Sequence, residues 1–333
     1  MTYKIPYRTG RIAILSDLHV DSYIIVGRDM ITSLGFESVI NDDLDALIIA
    51  GDFSFGPAAR WGAALGQLAP HIAPDKIYIF PGNHDYFGGM LEDDNLLAQQ
   101  ALAVGAHWAQ RQELRHGDPR FLCCTLWTDF NLLGDRDRAM SIAHRTMRDY
   151  VRIRKDSSIT PGSGSQLRSY RPLIEPSDTV TIHRAHKAWL EENLIRRHPA
   201  GDAGQTVIVT HHGPHLSTAG SVDDLTPAFH SDMTSLIEKF APAAWFYGHS
   251  NRRLRGTVGQ TDLRNVSVGY CNEFHRSENE NFIKTCVWGE LTWTRTKMIS
   301  IFWTQQSKLN RMWFGMPTVP LTSLSHRYHL QCS

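Results

Sequence analysis

The sequence predicts a layered α/β fold, and two observations carry that expectation. Five short apolar runs, RIAILSDLH at 11–19, DALIIAGD at 45–52, KIYIFPGNHD at 76–85, TVIVTHH at 206–212 and AAWFYGHSN at 243–251, each end in a cluster of Asp, Asn or His. Short apolar runs bounded by Gly or Pro read as buried strands of a covered sheet. The segments between them have helical composition, so strand and helix alternate along the chain. Polar clusters at the carboxyl ends of such strands lie where open α/β sheets place their ligands. The five clusters are therefore expected to form one site.

In chain order, the first run is followed by a candidate helix at 27–41, the second by one at 57–68 and the third by one at 95–104. Pro57 suits the first turn of its helix, where its missing amide hydrogen costs nothing. A further strand, FLCCTLW at 121–127, leads into a charged segment with a helix expected at 136–154. The stretch DSSITPGSGSQ that follows has the Ser, Gly and Pro content of a loop. A second long helix is expected at 176–197, capped by Ser177 or Asp178. Residues 136–200 thus form an insertion able to cover the carboxyl edge of the sheet. From Glu278 to Ser333 no alternation of strand and helix is evident, and Trp288, Trp293, Trp303 and Trp313 follow no consistent period. The expected organisation is one domain over 1–277 with an extension over 278–333, to which no function is assigned.

Composition frames this without deciding it. The 333 residues are 42% hydrophobic, enough for a sizeable core, and 34 Lys plus Arg balance 34 Asp plus Glu. No global charge draws the chain to nucleic acid. The amino-terminal MTYKIPYRTGR has no apolar stretch, and no run approaches the roughly 18 apolar residues of a membrane span. A cytoplasmic protein without a membrane partner is the expectation. The 5 cysteines are odd in number and show no CxxC spacing, which favours reduced thiols over a disulfide framework or a structural zinc site.

The chemistry rests on what the clusters do together. Asp17, His19 and Asp52 offer two carboxylates and an imidazole, while Asn83, His211 and His249 offer a carbonyl oxygen and two more imidazoles. Gathered without a cation, the carboxylates repel and several polar groups are buried unpaired. Divalent metals remove both costs. An oxygen and nitrogen donor set without thiolate suits manganese, iron, zinc, cobalt or nickel. Asp52, on the central strand, is placed to bridge two ions, which would hold a water, lower its pKa and supply a nucleophilic hydroxide. They would also neutralise phosphate oxygens during in-line displacement.

These motifs, DLH at 17–19, GD at 51–52, GNHD at 82–85, THH at 210–212 and GHSN at 248–251, resemble in content and order those of the calcineurin-like metallophosphoesterase superfamily. The resemblance spans about residues 11–270, and LWTDF at 126–130 resembles a bacterial branch of it. It implies a four-layer α/β/β/α sandwich with the site at the edge of two sheets. It also implies that Asp17 and His19 hold a first metal, that Asp52 bridges, and that Asn83, His211 and His249 hold the second. His84 matches the family's catalytic histidine, which stabilises the transition state or protonates the leaving oxygen, and Asp85 is the neighbour expected to orient it. The last motif departs from the pattern: Asn251 stands where the family has a second histidine that binds the first metal. Asn251 binds and shifts preference towards Mn or Mg, another group substitutes, or the first ion is weakly held.

Taken singly, GD or GNHD is a strand-to-helix turn and His211 or His249 a satisfied core histidine, but folding alone does not require ligand-type residues at five strand ends. His212 reads as a supporting partner of the site or an alternative to His211. His215 and His275 read as loop histidines. Arg145, Arg148, Arg152 and Arg154 form a solvated helical face, with Arg148 or Arg152 able to approach a phosphate if that helix overhangs the site. GDFSFG and GNHD replace the DRG and GNHE elements of the serine/threonine protein phosphatases. The expected function is metal-dependent hydrolysis of a phosphodiester or phosphomonoester, on a small molecule or nucleotide. The alternative is a non-catalytic phosphoester-binding or regulatory protein in which Asn251 has disabled the first metal site.

Overall fold

All five apolar runs form strands in the computed structural model, which describes residues 2–41, 43–56, 60–156, 171–201, 204–271, 273 and 276–289. The first half contains β1 (Thr2–Lys4), β2 (Ile12–Leu15), α1 (Val20–Ile25), α2 (Met30–Leu34), β3 (Ala46–Ala50), α3 (Trp61–Leu68), β4 (Ile77–Phe80), α4 (Asp94–Ala103), β5 (His107–Trp108), β6 (Gln112–Arg115) and β7 (Arg120–Cys124). The chain continues with α5 (Arg136–Thr146), α6 (Asp149–Arg152), α7 (Pro176–Ile195), β8 (Thr206–Thr210), α8 (Thr234–Phe240), β9 (Ala244–Tyr247), β10 (Arg255–Val258), β11 (Thr261–Asn265), α9 (Arg276–Thr285) and β12 (Val287–Trp288). The strands make two sheets, one in the order β1-β6-β7-β8-β9-β11-β10 and one in the order β12-β2-β3-β4-β5.

The period of two along each strand explains the layering. Phe121, Cys123, Val207, Val209, Ala244 and Phe246 share one apolar cluster with Ile14, Ile48 and Phe80 of the other sheet. Their sequence neighbours Leu122, Cys124, Ile208, Trp245 and Tyr247 belong to a second cluster with Leu190 and Leu194 of α7 and Leu236 and Ile237 of α8. One face of the larger sheet therefore meets the smaller sheet, and the other meets helices. On the smaller sheet, Trp61, Leu65 and Leu68 of α3 and Leu97 of α4 pack into the shared core. The result is the expected four-layer α/β/β/α sandwich. The central strands β2, β3, β4 and β7, β8, β9 run parallel, which brings their carboxyl ends to one edge.

Several elements differ from expectation for local reasons. The helix expected over 27–41 is confined to α2, because Gly35 at φ 74° takes the left-handed cap that ends it. Helix α1 immediately follows the first cluster and was not anticipated. The single helix expected over 136–154 breaks at Met147, which is extended at φ −80°, ψ 137°. Helix α7 is capped by Glu175, one residue before Pro176, in a reciprocal capping box with Asp178. It packs on the outer face of the larger sheet through Leu190 and Leu194, so it supports the fold and leaves the overhang to the α5–α6 break. The stretch beginning at Glu278 supplies most of α9 and then β12, whose Val287 and Trp288 pair antiparallel with Ala13 and Ile12 of β2. Residues Pro57, Trp293, Trp303, Trp313 and most of DSSITPGSGSQ lie outside the described residues.

Candidate metal centre

The site forms where the two sheets touch. Ser16 bridges Ser267 between them, with the Ser16 amide donating to Val266 O and the Val268 amide to Ser16 O. Beyond that seam the chain leaves each strand abruptly: Asp17 (φ 54°), His19 (φ 40°), Asp52 (φ 50°), His249 (φ 68°) and Asn251 (φ 51°) all adopt left-handed backbone. Asp, Asn and His enter this region more readily than other side chains, yet each such residue still costs of order 1–3 kcal/mol. Surrounding bonds hold them there: the Asp17 amide donates to Gly51 O, the His19 amide to Asp52 O, the His84 amide to Asp52 Oδ1 and the His249 amide to Asp17 Oδ2. Glycine is required at 82, where a Cβ would meet the Asp52 carboxylate and approach His211 Cε1 to 2.6 Å.

The donor atoms of the clusters converge, with few partners of their own. His211 Nδ1 lies 2.9 Å from the Ala50 carbonyl and donates to it, so that in a neutral ring Nε2 is a lone pair. That Nε2 lies 3.1 Å from Asn83 Oδ1 and 3.4 Å from Asp52 Oδ1, an arrangement that in the neutral ring sets electron-rich atoms against one another. Asp17 Oδ1, His19 Nδ1, His249 Nε2 and Asn251 Oδ1 are buried without a partner among the described residues. Burial pushes the Asp52 carboxyl well above the ordinary range, with His211 opposing and Asp17 and Asp85 adding to the rise. Burial holds the His19 and His249 imidazoles well below theirs, helped by neighbouring histidines. Neutral imidazoles and crowded carboxylates are the donor set of a divalent metal site.

Two groups of donors have ligand atoms within 4.8 Å of one another: His19, Asp52 and His84, and Asp52, His211 and His249. Asp52 belongs to both. Asp17 lines the same cavity but turns Oδ2 to the His249 amide, and in the first group His84 takes the place expected for Asp17. Asn251 also lines the cavity, its Nδ2 3.5 Å from Glu273 Oε2. His212 stands behind, its Nδ1 3.3 Å from Thr125 O and its ring 4.2 Å from that of His249.

His84 sits at the rim. Its ring stacks on Phe87, its Nε2 is 3.9 Å from Asp52 Oδ2, and the Tyr270 hydroxyl is 3.5 Å from its Nδ1. Burial lowers its pKa, with Asp149 the leading opposing influence. Asp85 does not orient it: its carboxylate accepts from the amides of Phe53, Ser54 and Gly82 and from the Trp61 indole, which ties down the loop after β4. Burial pushes this carboxyl up to about 6 despite those donors. The residue that faces His84 and Asn83 is Asp149, buried and itself raised by burial against the pull of both.

The cavity, about 220 Å³, is also lined by Tyr270, Phe229, Arg148 and Asp149. Tyr270 lies flat on His19 at 4.0 Å, and burial, then Asp52 and Asp17, raises its hydroxyl. Sequence reasoning did not single out Tyr270, Asp149 or Phe229, which sit in no motif; the only signal was the anticipated overhang, and it is the break at Met147 that delivers Arg148 to the wall. Arg152 instead lies 5.7 Å over the Phe55 ring, Arg145 bonds Ser141 and Arg154 bonds Arg171 O. His215 bonds Ser217 in its own turn, and His275 lies outside the described residues.

No described helix is long and apolar enough to cross a membrane. No curated protein matches the chain in sequence. Among solved structures the fold is similar to phosphopantetheinyl hydrolase from Mycobacterium tuberculosis, at 15% identity over 86% of this chain and 99% of that one, with a TM-score of 0.61. A Thermus thermophilus protein aligns over 80% of this chain and 92% of its own at 10% identity, with a TM-score of 0.43. The profile of the calcineurin-like phosphoesterases matches residues 10–253, a span that contains every strand-end cluster described above. The chain belongs to the calcineurin-like phosphoesterase family.

Proposed function

We propose that the chain hydrolyses a phosphomonoester or phosphodiester of a small molecule or nucleotide, using two divalent ions drawn from Mn, Fe, Zn, Ni and Co. Asp17, His19 and Asn251 would hold one ion, Asn83, His211 and His249 the other, and Asp52 both. The observation that supports this best is that Asp52 is common to two donor groups, in the second of which His211 Nε2 lies 3.4 Å from its Oδ1 and 3.1 Å from Asn83 Oδ1. When bound, such ions would lower the pKa of a held water and neutralise charge growing on the phosphoryl oxygens.

The remaining work falls to side chains on the cavity wall. Arg148 is placed to pair with phosphoryl oxygens. His84 would hold a proton at Nε2 against the leaving oxygen, its ring fixed by Phe87 and by the Tyr270 hydroxyl at Nδ1. Asp149 backs both His84 and Asn83. The balance of 34 basic and 34 acidic residues supports a small substrate over a nucleic acid.

The test is turnover of bis(p-nitrophenyl) phosphate and p-nitrophenyl phosphate by metal-loaded protein. Hydrolysis abolished by a chelator and by Asp52→Asn is the expected result, and the preferred ester separates diesterase from monoesterase. Folded protein that binds phosphoesters yet turns over neither with any of the five metals would favour the non-catalytic reading instead.

A further inference from the structure

The loop after β9 serves two cavities. His249 and Asn251 line the cavity of the metal centre, whereas their neighbours Ser250 and Arg252 line a second cavity of about 210 Å³. The backbone explains the alternation: His249, Asn251 and Arg253 have positive φ and the two residues between them do not, so successive side chains leave on opposite sides. Phe229 lines both cavities, so they adjoin there, and its ring is 4.6 Å from that of His249. Each cavity is smaller than the about 300–1,000 Å³ typical of a drug-sized ligand. One small substrate divided between the two fits better than two separate ligands.

The second cavity is built for hydrogen bonding. Arg252 is held in place before any ligand arrives, its Nη1 donating to Ser221 Oγ at 2.7 Å and Ala219 O at 3.3 Å. His230, only 1% exposed, makes no hydrogen bond of standard geometry through either ring nitrogen among the described residues, although the His215 backbone lies close enough to support its protonated form. Buried polar atoms of this kind call for a ligand or water. Burial, with Arg252 next, pushes the His230 pKa down to about 4, so the ring is neutral near pH 7 and offers one donor and one acceptor. Asp223 in the same lining balances the charge of Arg252, and its Oδ1 accepts from the Leu225 and Thr226 amides. A cavity without net charge does not favour a second phosphate.

We propose that this cavity is the leaving-group subsite, and that it takes a small uncharged ring bearing both hydrogen-bond donors and acceptors, the chemistry shared by a nucleobase and a sugar. The inference rests on the phosphoesterase reading of the adjoining centre. Binding is measured first on chelator-treated full-length protein by calorimetry and saturation-transfer NMR, with adenosine, methyl glucoside and inorganic phosphate as probes. One neutral probe is expected to bind, and to lose about tenfold in affinity in Arg252→Ala and in His230→Phe, as removal of a hydrogen bond to a charged or buried group predicts. Which probe binds separates nucleoside from sugar. Thermal unfolding of both variants shows whether they are folded, and a phosphoester of the preferred probe is expected to show the Arg252→Ala loss in KM. Failure of both neutral probes to bind would overturn the proposal, as would phosphate binding that Arg252→Ala removes. The two neutral probes contain no phosphorus and the treated protein no ion, so the outcome is independent of whether the centre turns over.

Discussion

Replacing Asn251 with histidine is expected to tighten the weaker half of the metal centre. The backbone at 251 has φ 51°, which histidine tolerates nearly as well as asparagine, so the fold is little taxed. Asn251 Oδ1 is buried with no partner among the described residues, and Nδ2 lies 3.5 Å from Glu273 Oε2. An imidazole would put a softer nitrogen donor where the amide oxygen stands and would donate the N–H of its other ring nitrogen to Glu273, an arrangement that fixes the tautomer and raises ligand basicity. Outer partners alone change metal affinity by about 10–100-fold. A change in the ligand itself is therefore expected to raise affinity by at least about tenfold, roughly 1.4 kcal/mol. Competition for Co²⁺ or Zn²⁺ against a chromophoric chelator reads this directly, with elemental analysis giving stoichiometry. In the double variant with Glu273→Gln, part of the gain is expected to vanish. An Asn251→His protein with unchanged affinity and stoichiometry would show that residue 251 does not stand at a ligand position.

Gly82→Ala is expected to lower the melting temperature and ion content together, since its Cβ would approach the Asp52 amide and His211 Cε1 to 2.6 Å and overpacking costs about 1–3 kcal/mol. Unchanged values for both would mean that the loop after β4 has room to spare. His186, on the buried face of α7 and accepting from the Leu126 amide, has its pKa pushed down to about 3, first by burial and then by Arg111 and His183. An unfolded histidine titrates near about 6.5, so the unfolded chain takes the proton first as pH falls. The stabilising contribution is complete above about 6.5 and is lost as the pH drops towards the folded value, at no more than about 1.4 kcal/mol per pH unit. In His186→Gln the slope of stability against pH, followed by urea unfolding between about pH 6 and pH 4, should fall by up to about 1.4 kcal/mol per pH unit; an identical slope would assign the acid sensitivity to the other buried histidines.

The strands were legible because each is a continuous apolar run, the signature of a strand covered on both faces, and their polar ends were legible because ligand-type residues recur there. The hairpin of β10 and β11 was not, since RGTV and TDLRN carry no apolar run. The helix break at Met147 left no Gly or Pro to announce it. Tyr270 and Asp149 reach the cavity only through tertiary packing. Asp85 shows the opposite failure: adjacency to His84 in sequence suggested a pair, yet the turn at His84–Tyr86 aims the carboxylate inward at three amides and an indole. Asn251 was identified as a departure from the family pattern, while the alternation that gives Ser250 and Arg252 to another cavity depends on φ values that no residue type dictates.

The bond from the His249 amide to Asp17 joins positions 232 residues apart, alongside the Ser16–Ser267 bridge that unites the sheets. Closing a loop of that length costs about 5 kcal/mol in chain entropy by the simple flexible-chain relation. A half-made chain can complete β2, β3 and β4 and still present only carboxylates, an amide and two imidazoles with no opposite wall. The last strands must arrive before His211, His249 and Asn251 complete the donor set, although His19, Asp52 and His84 all come from the first half. If the proposed ions bind, the full donor set is thus complete only late in folding, and a retained ion would report that the two ends of the domain have met.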